Sequence, residues 1–145
     1  MDISITLVII IITCITSFLS LRNQDLMNKL IFYPPAVSER NEWYRFFSCG
    51  LVHADLGHLI FNMYALYLFG AGEQKRGLEY QFVDIFGSQG KLIYLVMYIL
   101  ALAVCLVPTY NQNKTNYHYR SLGASGAVSA VIFAAILLNP VGYMG

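Results

Sequence analysis

The sequence predicts an all-α membrane protein: one domain over residues 1–145, folded as a polytopic helical bundle with four transmembrane helices. Three observations carry this prediction. Of 145 residues, 57% are hydrophobic and only 12% charged, with mean hydropathy +0.56; an average soluble domain has about 25% charged residues. The apolar residues gather in four runs, at 3–21, 56–72, 92–107 and 123–138, that contain no Asp, Glu, Lys or Arg. The 11 Tyr and 9 Phe suit the aromatic belts of a membrane interface as well as packing.

The first run has about 19 residues, enough to cross a hydrocarbon core of about 30 Å. A cleaved signal peptide is its rival and would need a basic start and a small-residue cleavage site. The chain opens on the acidic pair Met1-Asp2, and Ser17-Phe18-Leu19-Ser20 is a poor cleavage site, so a retained span is expected. Residues 22–52 form a long connection with short apolar stretches, Pro34-Pro35 and the cluster Trp43-Tyr44-Arg45-Phe46-Phe47. Aromatic, amphipathic sequence of this kind lies in the membrane interface.

The second run follows Asp55, a good N-cap residue, and holds His58 and Asn62. Residues 77–90 read as a polar loop entered by Lys75 and Arg76. Pro108 marks the end of the third run, and residues 111–120 are a polar connection. The fourth run opens on Gly123-Ala124-Ser125-Gly126 and stops before Asn139-Pro140, with no Asp, Glu, Lys or Arg after Arg120.

Composition also excludes partners. A net charge of +1 gives no electrostatic case for nucleic acid. The three cysteines, Cys14, Cys49 and Cys105, are odd in number and form no C-x-x-C pair, so neither a disulfide framework nor a zinc knuckle follows. The histidines are His53, His58 and His118, with no H-E-x-x-H. A zinc site would need three ligands from these scattered groups, and no metal or other cofactor is expected.

Two polar motifs remain inside the apolar sequence, where ionisable groups are costly and face a cavity or a partner. One is His53-x4-His58-x3-Asn62. His58 and Asn62 share a helix face, whereas His53 falls in the preceding loop or first turn. Their structural reading is interhelical hydrogen bonding. The other is Gly123-Ala124-Ser125-Gly126. It is not a G-x-S-x-G elbow, because Ala127 follows Gly126. The small residues Gly126, Ala130 and Ala134, at helical spacing, suit close helix packing. The alternative is a nucleophilic serine, which needs a base within hydrogen-bond reach.

Taken together, these motifs resemble the rhomboid family of intramembrane serine proteases. The likeness runs over about residues 40–140. It includes Trp43-Tyr44-Arg45, which is similar to the family's Trp-Arg signature, the His53-x4-His58-x3-Asn62 spacing, Gly70 and Glu73 at the end of the second run, and Gly-Ala-Ser-Gly opening the fourth. The resemblance implies four of the six helices of a rhomboid core in a multi-pass membrane protein. It implies that Ser125 is the nucleophile, with His58, Asn62 and the Ser125 N–H stabilising the oxyanion. His53 would support the first loop or the neighbouring turn, Trp43 and Arg45 would anchor that loop, Glu73 would cap helix contacts near the opposite face, and Gly123 and Gly126 would shape the serine turn. The implied partners are the lipid bilayer and single-span membrane substrates whose helix unwinds near the surface.

One departure matters. The family's general base is a histidine two helices after the serine span, and no histidine follows Ser125 here. A truncated, catalytically inactive core is therefore expected of these 145 residues alone. The competing readings are a non-catalytic rhomboid-like protein that binds client transmembrane helices, and a small structural or transport subunit whose polar residues only satisfy helix contacts.

Overall fold

The computed structural model describes residues 3–141; the acidic start Met1-Asp2 and the last four residues of the expected domain lie outside them. Helices α1 (Ile5–Leu21), α2 (Gln24–Leu30), α3 (Pro34–Arg40), α4 (Arg45–Ser48), α5 (Leu56–Leu66), α6 (Leu78–Phe86), α7 (Gly90–Val104), α8 (Val107–Asn113) and α9 (Ser125–Leu138) make up the chain. A short 3-10 turn, Cys49–Leu51, follows α4, and a π turn, Tyr67–Ala71, extends α5. The all-α class is as expected. Among the described residues one stretch, Leu78–Asn113, is long and apolar enough to cross a membrane; Ile5–Leu21 and Ser125–Leu138 are apolar but shorter.

Two expected loops are instead helical. Residues 77–90 hold α6, because Leu78, Phe82 and Phe86 recur every four residues and lay one face against α7: Phe82 meets Tyr94 edge-on at 6.2 Å and Phe86 at 5.5 Å. Residues 22–52 hold three helices. Asn23 caps α2 by accepting from the Asp25 and Leu26 amides, and Pro34 and Pro35 occupy the first turn of α3, where a missing N–H is harmless. Pro108 likewise starts α8 after a turn at Cys105.

The bundle exposes apolar side chains outward as well as burying them, and α1 turns its hydroxyl residues inward. On α1 the buried residues include Thr6, Thr13, Ser17 and Ser20, while Leu7, Ile11, Ile12, Ile15 and Leu19 face outward. On α5, Ile60, Phe61 and Tyr64 are 63–75% exposed, and on α9 Phe133 and Leu137 point away from the bundle. Helices that present aliphatic side chains outward and small or hydroxylated ones inward suit lipid, where close backbone approach and interhelical hydrogen bonds hold the bundle together. The core gathers Leu66, Leu78, Tyr94, Tyr98, Val128, Val131 and Ala135 between α1, α5, α7 and α9.

Gly70 shows how tight that approach is. A β-carbon there would lie 2.5 Å from the Tyr94 hydroxyl and 2.9 Å from Thr6 Oγ1, two groups that hydrogen-bond each other at 2.8 Å. Gly70→Val is expected to cost about 1–3 kcal/mol by overpacking. Thermal unfolding in detergent checks this, and an unchanged midpoint would contradict it.

Candidate active site

Ser125 is the first residue of α9, and the segment that delivers it is pinned by its backbone. Phe32 and Ser121 exchange two N–H···O bonds, of 2.8 and 3.0 Å, as an isolated antiparallel bridge. The Gly123 N–H then donates to the Cys49 carbonyl at 2.8 Å. Gly123 has φ of 111°, a conformation that side-chain-bearing residues rarely adopt. A β-carbon on Gly126 would lie 2.4 Å from Cys105 Sγ, so a larger residue there requires the Cys105 side chain to move. Ser125 is exposed, makes no side-chain hydrogen bond among the described residues, and lines a cavity of about 240 Å³ with Cys49, Leu102, Cys105, Leu122 and Gly126. Burial pushes the Cys49 thiol up to about 12, so it stays protonated and is no rival nucleophile.

His53 ties this turn to the rest of the bundle. It is buried, and its Nε2 accepts from the Ala124 N–H at 3.3 Å, one residue before the serine. Its Nδ1 lies 3.0 Å from Ser17 Oγ on α1, and Ser17 donates to the Leu51 carbonyl at 2.7 Å. Burial, helped by the neighbouring His58, holds His53 below its ordinary value of 6.5 and so favours the neutral ring.

His58 and Asn62 lie one turn apart on α5, which packs beside α9. Asn62 is buried and its amide forms no hydrogen bond among the described residues. His58 is exposed, with its Nδ1 2.9 Å from Asp55 Oδ1. Asp55 is also the N-cap, accepting from the His58 amide at 2.8 Å, and these His58 contacts hold its carboxyl below the usual range. With Nδ1–H directed at a carboxylate, His58 carries a hydrogen on Nε2 only as the imidazolium. No hydrogen bond joins Ser125 to His58, Asn62 or His118 among the described residues. His118 sits in the exposed connection before α9.

A family comparison matches the Rhomboid domain over residues 40–143. The chain belongs to the rhomboid family. Rhomboids are generally intramembrane serine proteases, so this is an integral membrane protein that shares a family with enzymes acting on membrane-protein substrates. A comparison with curated proteins found no match.

The rhomboid signature residues of the 22–52 segment are structural neighbours of the turn. Arg45 is 5% exposed and donates through Nη1 to the Asn28 and Ile31 carbonyls at 2.9 and 2.6 Å, and through Nε and Nη2 to Glu42 at 3.2 and 3.1 Å. It thereby closes the end of α2 that leads to Phe32. Trp43 stacks on Phe46 at 5.9 Å and leans on Tyr110 of α8 at 5.6 Å. Glu73 lies exposed in a short 3-10 turn after α5.

Two residues were missed in sequence reading. Ser17 lay inside an apolar run, where nothing marks a serine as a histidine's partner. Glu79, not Glu73, caps a helix: it is fully buried and accepts from Ser4 Oγ and the Ile5 and Thr6 amides at 3.0, 2.8 and 2.9 Å. Among the described residues no cluster of three His, Cys, Asp or Glu could hold a metal ion.

Proposed function

We propose that this rhomboid is an intramembrane serine endopeptidase that cleaves single-span membrane proteins, with four of its helices crossing the bilayer. Ser125 is the nucleophile, and Asn62, His58 and the Ser125 N–H stabilise the oxyanion. The observation that carries the reading is the placement of Ser125: an uncommitted hydroxyl on the first residue of α9, beside a cavity, on a turn fixed by backbone bonds. Preorganised donors of this kind act strongly where water is scarce. A substrate helix must unwind to present its peptide bond, which favours segments with helix-breaking residues. Among the described residues no histidine hydrogen-bonds Ser125. His58 serves as an oxyanion donor, with its Nδ1 oriented by Asp55 at 2.9 Å.

The test uses the protein recovered from its source membrane and reconstituted in liposomes with a single-span substrate carrying a Gly-Pro break. Cleavage, together with covalent labelling of Ser125 by a fluorophosphonate, is the expected result. Substrate binding with neither cleavage nor label would replace this reading with a non-catalytic client-helix binder, which is favoured by Ser125 having no hydrogen-bonded base among the described residues. Asn62→Ala is expected to lower kcat by roughly 10²–10³ with KM little changed, measured on the same substrate. An equal loss in KM alone would assign Asn62 to binding.

A further inference from the structure

We propose that Ser17 on α1 is a positioning residue: by accepting from the Nδ1–H of His53 it leaves Nε2 bare to hold the Ala124 amide, so the His53 bond to the Ser125 turn is made only while His53 is neutral. The hydrogen positions follow from the contacts. Ser17 Oγ lies 2.7 Å from the Leu51 carbonyl, which can only accept, so the hydroxyl proton goes there. Its lone pairs are then left for His53 Nδ1, 3.0 Å away, which must carry the ring hydrogen. Nε2 is therefore bare and accepts from the Ala124 N–H at 3.3 Å. Which ring nitrogen is protonated is set by the hydrogen bond the other one makes, and here a serine 36 residues upstream sets it. The chain of contacts runs from α1 through the loop before α5 to the residue preceding Ser125. All of its side chains are buried.

Protonation reverses one link. A second hydrogen on Nε2 would face the Ala124 N–H, donor against donor, and the turn would lose the side-chain bond to its last residue before α9. The groups facing His53 from the packed elements are Ser17 from α1, the Leu51 carbonyl through that serine, Gly123 and Ala124 from the α9 approach, and His58 from α5. A charge on His58 opposes a charge on His53. The sign for stability follows: burial lowers the folded-state value below 6.5, so the contribution is complete above 6.5. It is lost as pH falls below 6.5 toward the folded value, because the unfolded chain binds the proton first.

The test reads the ring and the amide directly, in the full chain in lipid bicelles with ¹⁵N-labelled histidine; His53→Gln assigns the signal. The expected result is the Nδ1–H tautomer in the wild type and a shift toward Nε2–H in Ser17→Ala, with Ser17→Thr restoring Nδ1–H. Protection of the Ala124 amide from exchange is expected to fall about tenfold or more as His53 titrates in the wild type. In His53→Gln, whose amide oxygen still accepts but does not titrate, protection should stay level through that window. An Nε2–H wild type, a tautomer indifferent to Ser17→Ala, or Ala124 protection indifferent to His53 titration would each overturn the proposal; the last needs no variant.

The kinetic arm rests on the protease reading: Ser17→Ala should lower kcat roughly 10- to 100-fold with KM held. The two ideas fail separately. A tautomer and an amide that behave as expected in a protein without proteolysis leave the lock standing and remove the protease. Full-speed proteolysis by Ser17→Ala with the Nδ1–H tautomer intact removes the lock and leaves the protease.

Discussion

Ser125→Ala is expected to abolish proteolysis while leaving the fold intact. The structure separates the two effects. What holds the serine turn is two backbone contacts, the Phe32–Ser121 bridge and the Gly123 bond to Cys49, and the Ala124 N–H bond to the His53 ring. None of these uses the Ser125 hydroxyl, which is exposed and makes no hydrogen bond among the described residues. Alanine is also the better helix former at that position. Stability should therefore change by no more than about 0.5 kcal/mol, read as an unshifted unfolding midpoint. The chemical loss is of another order. Without a nucleophile no acyl-enzyme forms, and kcat should drop by roughly 10⁴–10⁶. Ser129, exposed one turn further along α9, provides the control, since Ser129→Ala removes the same atom from the same helix away from the turn. Wild-type cleavage by Ser125→Ala, or equal losses in the two variants, would sink the serine-protease reading. A purely structural membrane subunit predicts the reverse pattern, with stability changing and no rate to lose.

How much of this was legible in the sequence depends on the distance over which each feature is encoded. The apolar runs gave helices close to their expected positions, because a run of Leu, Ile, Val and Ala without charge leaves a chain in lipid few options except to bond its backbone internally. The Asp55 cap was legible because a cap and its amide are three residues apart. The helices at 24–30, 34–40 and 78–86 were not legible. Asn, Pro and Gly at their borders read as loop punctuation, yet each also serves at a helix terminus.

The site divides the same way. His58 and Asn62 could be placed on one face from spacing alone, and Ser125 could be placed at a helix start. That the buried histidine would be His53, tied to the serine turn and to Ser17, could not be read locally: its partners lie 36 residues before it and 71 after it. The orientation of His58 toward Asp55 also depends on a rotamer that no spacing rule contains.

Glu79→Ala should produce the largest loss of stability in the molecule. Three groups at the start of α1 would lose their acceptor at once: Ser4 Oγ and the amides of Ile5 and Thr6. Two of these are first-turn N–H groups without an intrahelical partner, and the carboxylate also favours the positive end of the helix. Lys91 on α7, 3.4 Å away, would lose its ionic partner while its side chain stays 22% exposed. Leaving three donors without their charged acceptor should cost about 3 kcal/mol or more, while Lys91 keeps its bond to the Ile3 carbonyl. Glu79 is fully buried and joins α6 to α1 across 75 residues of sequence, so its loss should free the first helix rather than soften the bundle uniformly. Proteolytic release or rapid amide exchange confined to α1 would report this. Glu79→Gln, which still offers one carbonyl oxygen, should lose less. If Glu79→Ala unfolds at the wild-type midpoint, the carboxylate is not what holds α1 in place, and the contacts of Thr6 with Tyr94 and of Ser17 with Leu51 and His53 hold that helix instead.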